Sequence, residues 1–123
     1  MLGSSRIMAF AATQNPDRAR VFYRDVLGLQ LVGEDPYALV FDANGTMLRV
    51  QIVQEVAPHR YTTLGWQVLD IVAVAVELQT TGVKLERFEG LPQDELGIWS
   101  SPGGARVGWF KDPDGNLLSV SQF

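Results

Sequence analysis

The side chains that most often carry enzyme chemistry are scarce in this sequence. It contains no cysteine and a single histidine, His59. The lack of cysteine excludes disulfides, thiolate metal sites and a cysteine nucleophile. One imidazole cannot supply a metal site with two histidine ligands within one chain. His59 follows Pro58 in a segment without periodicity, so we expect it in a surface loop rather than at a ligand.

Carboxylates are the remaining candidates for acid–base chemistry, and most of the 14 acidic residues have structural explanations. Their positions are typical of helix caps, exposed helix faces, turns and loops. Glu86 is the one acid that the pattern places on a strand, where a solvated edge position near Lys84 explains it better than a general base does. A proton-transfer enzyme needs a carboxylate or imidazole aimed at its substrate. The sequence offers no strong candidate for that role.

Composition limits the class of protein further. A chain of 123 residues is long enough for one domain, and a hydrophobic content of 46% predicts an ordered core. The net charge of −4 disfavours binding to a phosphate backbone. The longest apolar runs, 7–12 and 71–76, are far shorter than the roughly 20 residues that span a bilayer. We therefore expect no nucleic-acid partner and no membrane association. The lack of cysteine and of a recognisable export signal favours a cytoplasmic location.

Two segments have helix signals at both ends. The first begins with Asn15 as N-cap and Pro16 at the first helical position, and it stops at Gly28. The second begins with Asp70 as N-cap and stops at Gly82. Apolar residues recur at helical spacing in both segments, which predicts one buried face for each helix. These residues are Ala19, Phe22, Tyr23, Val26 and Leu27 in the first helix and Ile71, Val74, Ala75 and Leu78 in the second.

Strand signals repeat in the same order around the two helices. An apolar stretch precedes each helix, and an alternating stretch follows each terminal glycine, at 29–31 and again at 83–85. Each half then has a turn with Asn-Gly or Asp-Gly, at 42–45 and 112–115, that leads into a last strand. The order strand–helix–strand–strand–strand is therefore predicted twice.

This internal repeat defines the domain organisation. We predict a single domain over residues 1–123, built from module one at 6–53 and module two at 62–123. The segment 54–61 links the modules. Module two is the longer one, with extra residues rich in Gly, Pro and Ser around 87–104.

Two motifs in this order resemble a known family. Residues 22–29 (FYRDVLGL) end the first helix, and residues 109–118 (WFKDPDGNLL) form the closing hairpin. The chain is similar to the vicinal oxygen chelate (VOC) superfamily, which includes glyoxalase I, bleomycin-resistance proteins and extradiol dioxygenases. The resemblance implies an α+β fold in which paired βαβββ modules form a curled eight-stranded mixed sheet cup with helices outside. It also implies a homodimer and a small-molecule ligand, whereas fold alone does not assign a function.

Strand alternation combined with this resemblance predicts which side chains line the cup. The lining mixes apolar and polar residues, and a cavity that accepts a ligand explains buried polar groups that would otherwise be costly. An open, solvated sheet face is the alternative explanation. The predicted ligand-binding residues are Met8, Phe10, Arg49, Gln51, Thr63, Gln67, Trp99, Ser119 and Ser121.

The metal-binding members of the family place ligands at four cup positions. The resemblance maps these onto Met8 and Thr63, seven residues before each helix cap, and onto Arg49 and Ser119, four residues after each turn glycine. A thioether, two hydroxyls and a guanidinium are poor ligands for a hard divalent ion, and the fixed charge of arginine repels a cation. We therefore expect no metal and no other cofactor.

Several functions stay open at this point. The leading hypothesis is a metal-independent small-molecule binding protein that sequesters a toxic or antibiotic compound. The alternatives are a glyoxalase-like lyase or isomerase, or a dioxygenase-related enzyme, with a non-standard site, and a scaffold with a vestigial pocket. Whether any reaction is catalysed is not decided by the sequence.

The same residues leave the nature of the ligand open. Arg49 favours an anion such as a carboxylate, although a structural ion pair or a side chain extending to the rim explains it equally well. The acidic net charge would instead suit a cationic compound. Trp99, Trp109 and Phe10 could supply flat apolar walls. Core packing is the preferred explanation for Trp109, and a lid is a plausible role for Trp99 in the longer segment of module two.

Overall fold

A computed structural model describes all 123 residues, and its contacts divide the chain into two units, Met1–Ala57 and Pro58–Phe123. The boundary falls inside the segment 54–61 that separates the two predicted modules. None of the helices has the length and apolar character needed to cross a membrane. That the chain acts as a single domain stays a prediction.

The first unit is a four-stranded mixed sheet with one helical segment. Its strands are β1 (Met8–Thr13), β2 (Gln30–Glu34), β3 (Ala38–Ala43) and β4 (Thr46–Ile52). They lie in the order β1-β4-β3-β2, with β1 parallel to β4 and the other pairs antiparallel. The helical segment carries the chain from β1 at one edge of the sheet to β2 at the other edge, and β4 then pairs in parallel with β1.

The first helix begins as predicted but does not continue as one α-helix. Asn15 caps it by accepting a hydrogen bond from the Arg18 backbone N–H at 3.2 Å. After α1 (Pro16–Arg20), residues Val21–Val26 are π-helical, and the Leu27 N–H donates to the Phe22 carbonyl at 2.9 Å. The wider turn lets the adjacent residues Phe22 and Tyr23 both lie in the core, with their rings edge to face at 5.2 Å.

The second unit repeats this plan with a longer connection. Its elements are β5 (Leu64–Gln67), α2 (Ile71–Thr80), β6 (Trp99–Ser100), β7 (Arg106–Lys111) and β8 (Leu117–Gln122). The strand order is β5-β8-β7-β6, with β5 parallel to β8. Asp70 caps α2 by accepting a hydrogen bond from the Ala73 N–H at 3.0 Å. Two mixed four-stranded sheets with helices confirm the predicted α+β class and its eight strands.

The strand predicted at 83–85 is wrong, and with it the strand position of Glu86. The fourth strand of this sheet is β6 instead. Leu85 packs onto Gly108 so closely that a Cβ on the glycine would lie 2.7 Å from it, so the chain meets β7 through side-chain packing. Glu86 donates one backbone hydrogen bond, to the Trp109 carbonyl at 2.7 Å. Its carboxylate lies 3.5 Å from Lys111 Nζ rather than beside Lys84.

Equivalent residues pair in the same register within each of the two sheets, which confirms the internal repeat. Phe10 pairs with Arg49 in the first unit as Gly65 pairs with Ser119 in the second. In both sheets one face is the core. The fully buried residues on that face are Leu39, Phe41, Leu48 and Val50 in the first unit and Phe110, Leu118 and Val120 in the second. The predicted ligand-binding residues belong to the opposite faces.

Candidate ligand-binding faces

Four of the predicted residues share one face of the first sheet. Met8 and Phe10 project from β1, and Arg49 and Gln51 project from β4 on the same side, because register partners point the same way. Met8 and Phe10 are 44% and 47% exposed, which is high for apolar side chains within a sheet. Burial of Leu48 and Val50 on the other face fixes this orientation.

Arg49 lies half-buried at the centre of this face without a partner of opposite charge. Its register partners are Phe10 on β1 and Val40 on β3, and its guanidinium makes neither a hydrogen bond nor an ion pair within the chain. A guanidinium carries five N–H donors, so this group keeps its capacity for a bidentate contact with an anion. The structural ion pair considered for Arg49 is therefore not formed.

The arginines of the helical segment behave differently. Arg20 bonds Asp17 at 2.9 Å and Glu34 at 2.8 Å, and the hydrogen bond to Asp17, followed by that to Glu34, raises the pKa of Arg20. Arg24 bonds Asp25 at 2.8 Å, and this hydrogen bond lowers the pKa of the Asp25 carboxyl. Acidic partners are thus available to arginines in this unit, but none is placed at Arg49.

Most of the predicted residues of module two share one face of the second sheet. Ser119 pairs with Gly65, Ser121 pairs with Gln67, and Trp99 faces Val107, which is itself the partner of Ser121. Thr63 comes just before β5 and bonds back to the Leu117 carbonyl, through its N–H at 3.1 Å and weakly through its hydroxyl at 3.5 Å. This strand pairing places Gln67, Trp99, Ser119 and Ser121 on one face, with Thr63 at its margin.

The polar side chains on these two faces have unused hydrogen-bonding capacity. None of them makes a hydrogen bond within the chain through its side chain, although no fully buried polar atom in the structure lacks a partner. Their polar atoms are therefore reachable by solvent or ligand. The residues concerned are Arg49 and Gln51 in the first unit and Gln67, Ser119 and Ser121 in the second.

Trp109 lies on the same face of the second sheet as Ser119. The sequence analysis preferred core packing for this residue, and that preference was wrong. It is the register partner of Ser119, while its neighbour Phe110 faces the core and stacks on Trp66 with ring centroids 6.3 Å apart. The Trp109 ring lies 6.1 Å from that of Trp99 and meets Phe88 edge to face at 5.4 Å. The pairing of β7 with β8 places Trp109 beside Ser119 and Phe110 beside Leu118, which separates the two adjacent rings onto opposite faces.

The longer segment 87–104 is held in place by its own side chains. Gln93 donates to the carbonyls of Glu86 and Gly97 at 2.9 and 2.7 Å and accepts from the Phe88 N–H at 2.8 Å. Asp94 accepts from the N–H groups of Leu96 and Ile98. Trp99 therefore projects from an edge strand next to a braced loop, and its role as a lid stays a prediction.

His59 lies in the segment between the two units and contacts a neighbouring aromatic ring. Its ring is exposed and stacks on the exposed ring of Tyr61, with centroids 4.9 Å apart. This is the surface loop position expected from the sequence.

The positions equivalent to the metal ligands of the family do not fit a divalent metal in this chain. The first unit presents the Met8 thioether and the Arg49 guanidinium, and the second presents the hydroxyls of Thr63 and Ser119. No carboxylate or imidazole stands at any of these positions. Nowhere do three or more His, Asp or Glu side chains lie close enough together to hold a metal ion. These four side chains therefore supply no ligand set for metal-assisted chemistry.

Residues 6–120 match the family described as the Glyoxalase/Bleomycin resistance protein/Dioxygenase superfamily, and the chain belongs to it. No curated protein matches the sequence.

Solved structures with the same fold cover nearly the whole chain. A superfamily member from Sphaerobacter thermophilus is 22% identical with a TM-score of 0.78, and the match covers 100% of both chains. TioX from Micromonospora sp. ML1 is 18% identical with a TM-score of 0.74, covering 97% of this chain and 98% of TioX. A lactoylglutathione lyase from Agrobacterium tumefaciens is 21% identical with a TM-score of 0.71, covering 96% of this chain and 93% of the lyase. At these identities the likeness concerns the fold.

Proposed function

We propose that this chain is a metal-independent small-molecule binding protein of the superfamily, and that it sequesters a toxic or antibiotic compound. The observation that carries the proposal is the set of polar side chains on the non-core sheet faces that have no partner within the chain. Polar side chains cost free energy when a ligand covers them without forming hydrogen bonds to them. They are useful where a ligand supplies the missing partners.

Arg49 supports an anionic ligand. Hydrogen bonds to a charged group contribute roughly 1.5–3 kcal/mol each, and a planar guanidinium matches a carboxylate in two parallel bonds. The exposed apolar side chains of Met8 and Phe10 on the same face would contact the apolar part of such a ligand. The proposed ligand is therefore a carboxylate with an apolar body.

A lyase or isomerase is the competing function, and the likeness to a lactoylglutathione lyase is what favours it. Glyoxalase-type chemistry polarises an oxygen with a metal ion. The thioether, guanidinium and hydroxyl groups at the equivalent positions of this chain do not provide its ligands. A lyase would need another set of ligands, which no cluster of acidic or histidine side chains supplies.

A thermal-shift series with three matched probes tests the proposed function. Benzoate, benzyl alcohol and benzylammonium share a ring and differ in charge. A ligand that binds the native state raises the melting temperature with concentration. We expect benzoate to raise it more than the other two. An equal or larger shift with benzylammonium contradicts the proposed anion preference, and no shift with any of the three supports a vestigial pocket.

Assembly and location complete the proposal. A homodimer is typical of the family and would cover sheet edges that are otherwise unpaired. Light scattering coupled to gel filtration tests it, with a mass of twice 13.6 kDa expected and a monomer mass contradicting it. The cytoplasmic location stays a prediction from the sequence.

A further inference from the structure

A cavity of about 80 Å³ opens between α2 and the longer segment of the second unit. It involves none of the predicted ligand-binding residues. Part of its wall belongs to 87–104, the extra residues that module two has and module one lacks. The lining combines three apolar side chains with four polar or charged ones: Ala75, Leu85, Leu96, Gln79, Lys84, Arg87 and Glu95.

This cavity lies on the core side of the second sheet. Leu85 in its lining packs onto Gly108, where a Cβ would lie 2.7 Å from Leu85 Cδ1. Gly108 alternates along β7 with Phe110, which is buried in the core, and Trp109 between them faces the other way. The cavity is therefore separate from the sheet face that carries Ser119 and Trp109.

Close packing fixes the floor of the cavity. Ala75 and Leu85 are only 4% and 9% exposed. Gly97 approaches Leu85 so closely that a Cβ on the glycine would lie 2.9 Å from Leu85 Cβ, and its φ of +97° is one that glycine adopts without strain. The floor thus has its shape before a ligand binds, which spares the ligand the entropy of ordering it.

The rim of the cavity carries opposite charges that do not pair with each other. Lys84 makes neither a hydrogen bond nor an ion pair within the chain, and the Glu95 carboxylate also has no partner there. Arg87 donates through Nη2 to the backbone carbonyls of Asp94 and Glu95, each at 2.7 Å. These two bonds hold the guanidinium in place and leave its other N–H groups for a ligand.

We propose that this cavity binds a small zwitterion, a molecule with one ammonium and one carboxylate group such as a short α-amino acid. The carboxylate would bond Lys84 and Arg87, and the ammonium would bond Glu95. A purely anionic ligand would be repelled by Glu95, and a purely cationic one by the two basic side chains. A ligand with both charges forms charge-assisted hydrogen bonds at both ends. This inference does not rest on the proposed function.

The volume of the cavity sets the size of the ligand. A cavity of roughly 150 Å³ holds benzene, so about 80 Å³ has room for about four or five non-hydrogen atoms. Glycine is of this size. Its methylene group would contact Ala75 and Leu85, and the side-chain amide of Gln79 at the rim can bond either charged end.

Three probes of similar size test the proposal. Glycine, acetate and methylammonium differ in charge and are titrated into the ¹⁵N-labelled chain at constant ionic strength, with the backbone amides followed by NMR. We expect glycine to shift the amides of Lys84, Arg87 and Leu96 in a saturable way, with a dissociation constant about two- to fivefold below those of the other two probes, the range of one exposed ion pair. Equal or tighter binding of acetate or methylammonium overturns the zwitterion assignment. The lack of saturable shifts with glycine overturns the site.

Charge variants then assign the two ends of the ligand. Glu95→Gln should weaken glycine about two- to fivefold without weakening acetate. Lys84→Gln should weaken glycine and acetate by similar factors of about two- to fivefold without weakening methylammonium. Glu89→Gln is the matched control, since Glu89 is an exposed acid of the same segment that does not line the cavity. An unchanged glycine affinity in Glu95→Gln, or an equal loss in Glu89→Gln, overturns the proposal.

Discussion

Arg49 and Ser119 occupy the same register position in the two sheets. Arg49 stands beside Phe10 in a parallel pair, and Ser119 stands beside Gly65 in the equivalent pair of the second unit. The family resemblance assigns metal-ligating carboxylates or amides to this position, and here the repeat carries a cation once and a hydroxyl once. We propose that this scaffold position contacts a ligand in this chain instead of a metal.

Removing the charge of Arg49 should weaken binding of an anion. For Arg49→Gln we expect benzoate to bind about ten- to hundredfold less tightly, since hydrogen bonds to charged groups contribute roughly 1.5–3 kcal/mol. Calorimetric titration measures this change. Arg6→Gln removes the same charge from an exposed position and should stay within about twofold. Equal losses in both variants would mean that net charge alone drives binding.

The assignment of the two faces of β4 predicts unequal stability effects for neighbouring residues. Leu48 is fully buried, and Leu48→Ala should lower the free energy of unfolding by about 2–5 kcal/mol. Met47 is 43% exposed on the opposite face, so Met47→Ala should cost less than about 1 kcal/mol. Urea denaturation measures both values. Similar losses would show that the faces have been assigned wrongly.

The cap of α2 should contribute measurably to stability. Asp70→Ala removes the acceptor for the Ala73 N–H and should cost about 1 kcal/mol, while Asp70→Asn keeps an oxygen in place and should cost a few tenths at most. Glu55→Ala, an exposed acid outside the helices and strands, controls for the charge. A loss as large in Asp70→Asn as in Asp70→Ala would argue against the cap.

The pair Arg24–Asp25 predicts a small acid-dependent contribution to stability. The hydrogen bond from Arg24 lowers the pKa of Asp25 in the folded state, so the folded chain binds this proton less readily than the unfolded chain does. The contribution is therefore present above the pKa of the unfolded state and is lost as the pH falls through the folded value. Because both groups are exposed, the effect should be small and should diminish with salt. Asp25→Asn should flatten the stability curve below pH 4, and an unchanged curve contradicts the assignment.

Gln93 should stabilise the longer segment of the second unit through its three hydrogen bonds to the backbone. Gln93→Ala leaves three backbone groups without their partner and should lower the free energy of unfolding by about 1–3 kcal/mol. Urea denaturation measures the loss, and an unchanged free energy of unfolding would contradict a stabilising role for these hydrogen bonds.

The repeat could be predicted from the sequence because caps, terminal glycines and turns are local signals. Asn15 and Asp70 form the predicted caps, and Gly28 and Gly45 have the positive φ that their positions suggested. The same local signals predict the two strand faces of β4, where apolar and polar residues alternate.

The parts that could not be predicted depend on contacts between distant residues. The π-helical turn accommodates two adjacent aromatic residues in one core, since Tyr23 also packs on Phe41 at 5.8 Å. The segment 83–85 alternates as a strand does, yet the tight approach of Leu85 to Gly108 decides its path. Trp109 and Phe110 are adjacent, and only their pairing with Ser119 and Leu118 shows which of them faces the core.

Binding measured with and without divalent metal tests the central claim most directly. Benzoate would be titrated into protein stripped with EDTA and into the same protein dialysed against nickel, zinc or manganese, with bound metal determined by elemental analysis. The account predicts equal dissociation constants and substoichiometric metal in every sample. One metal ion per chain together with tighter binding of the carboxylate would contradict it.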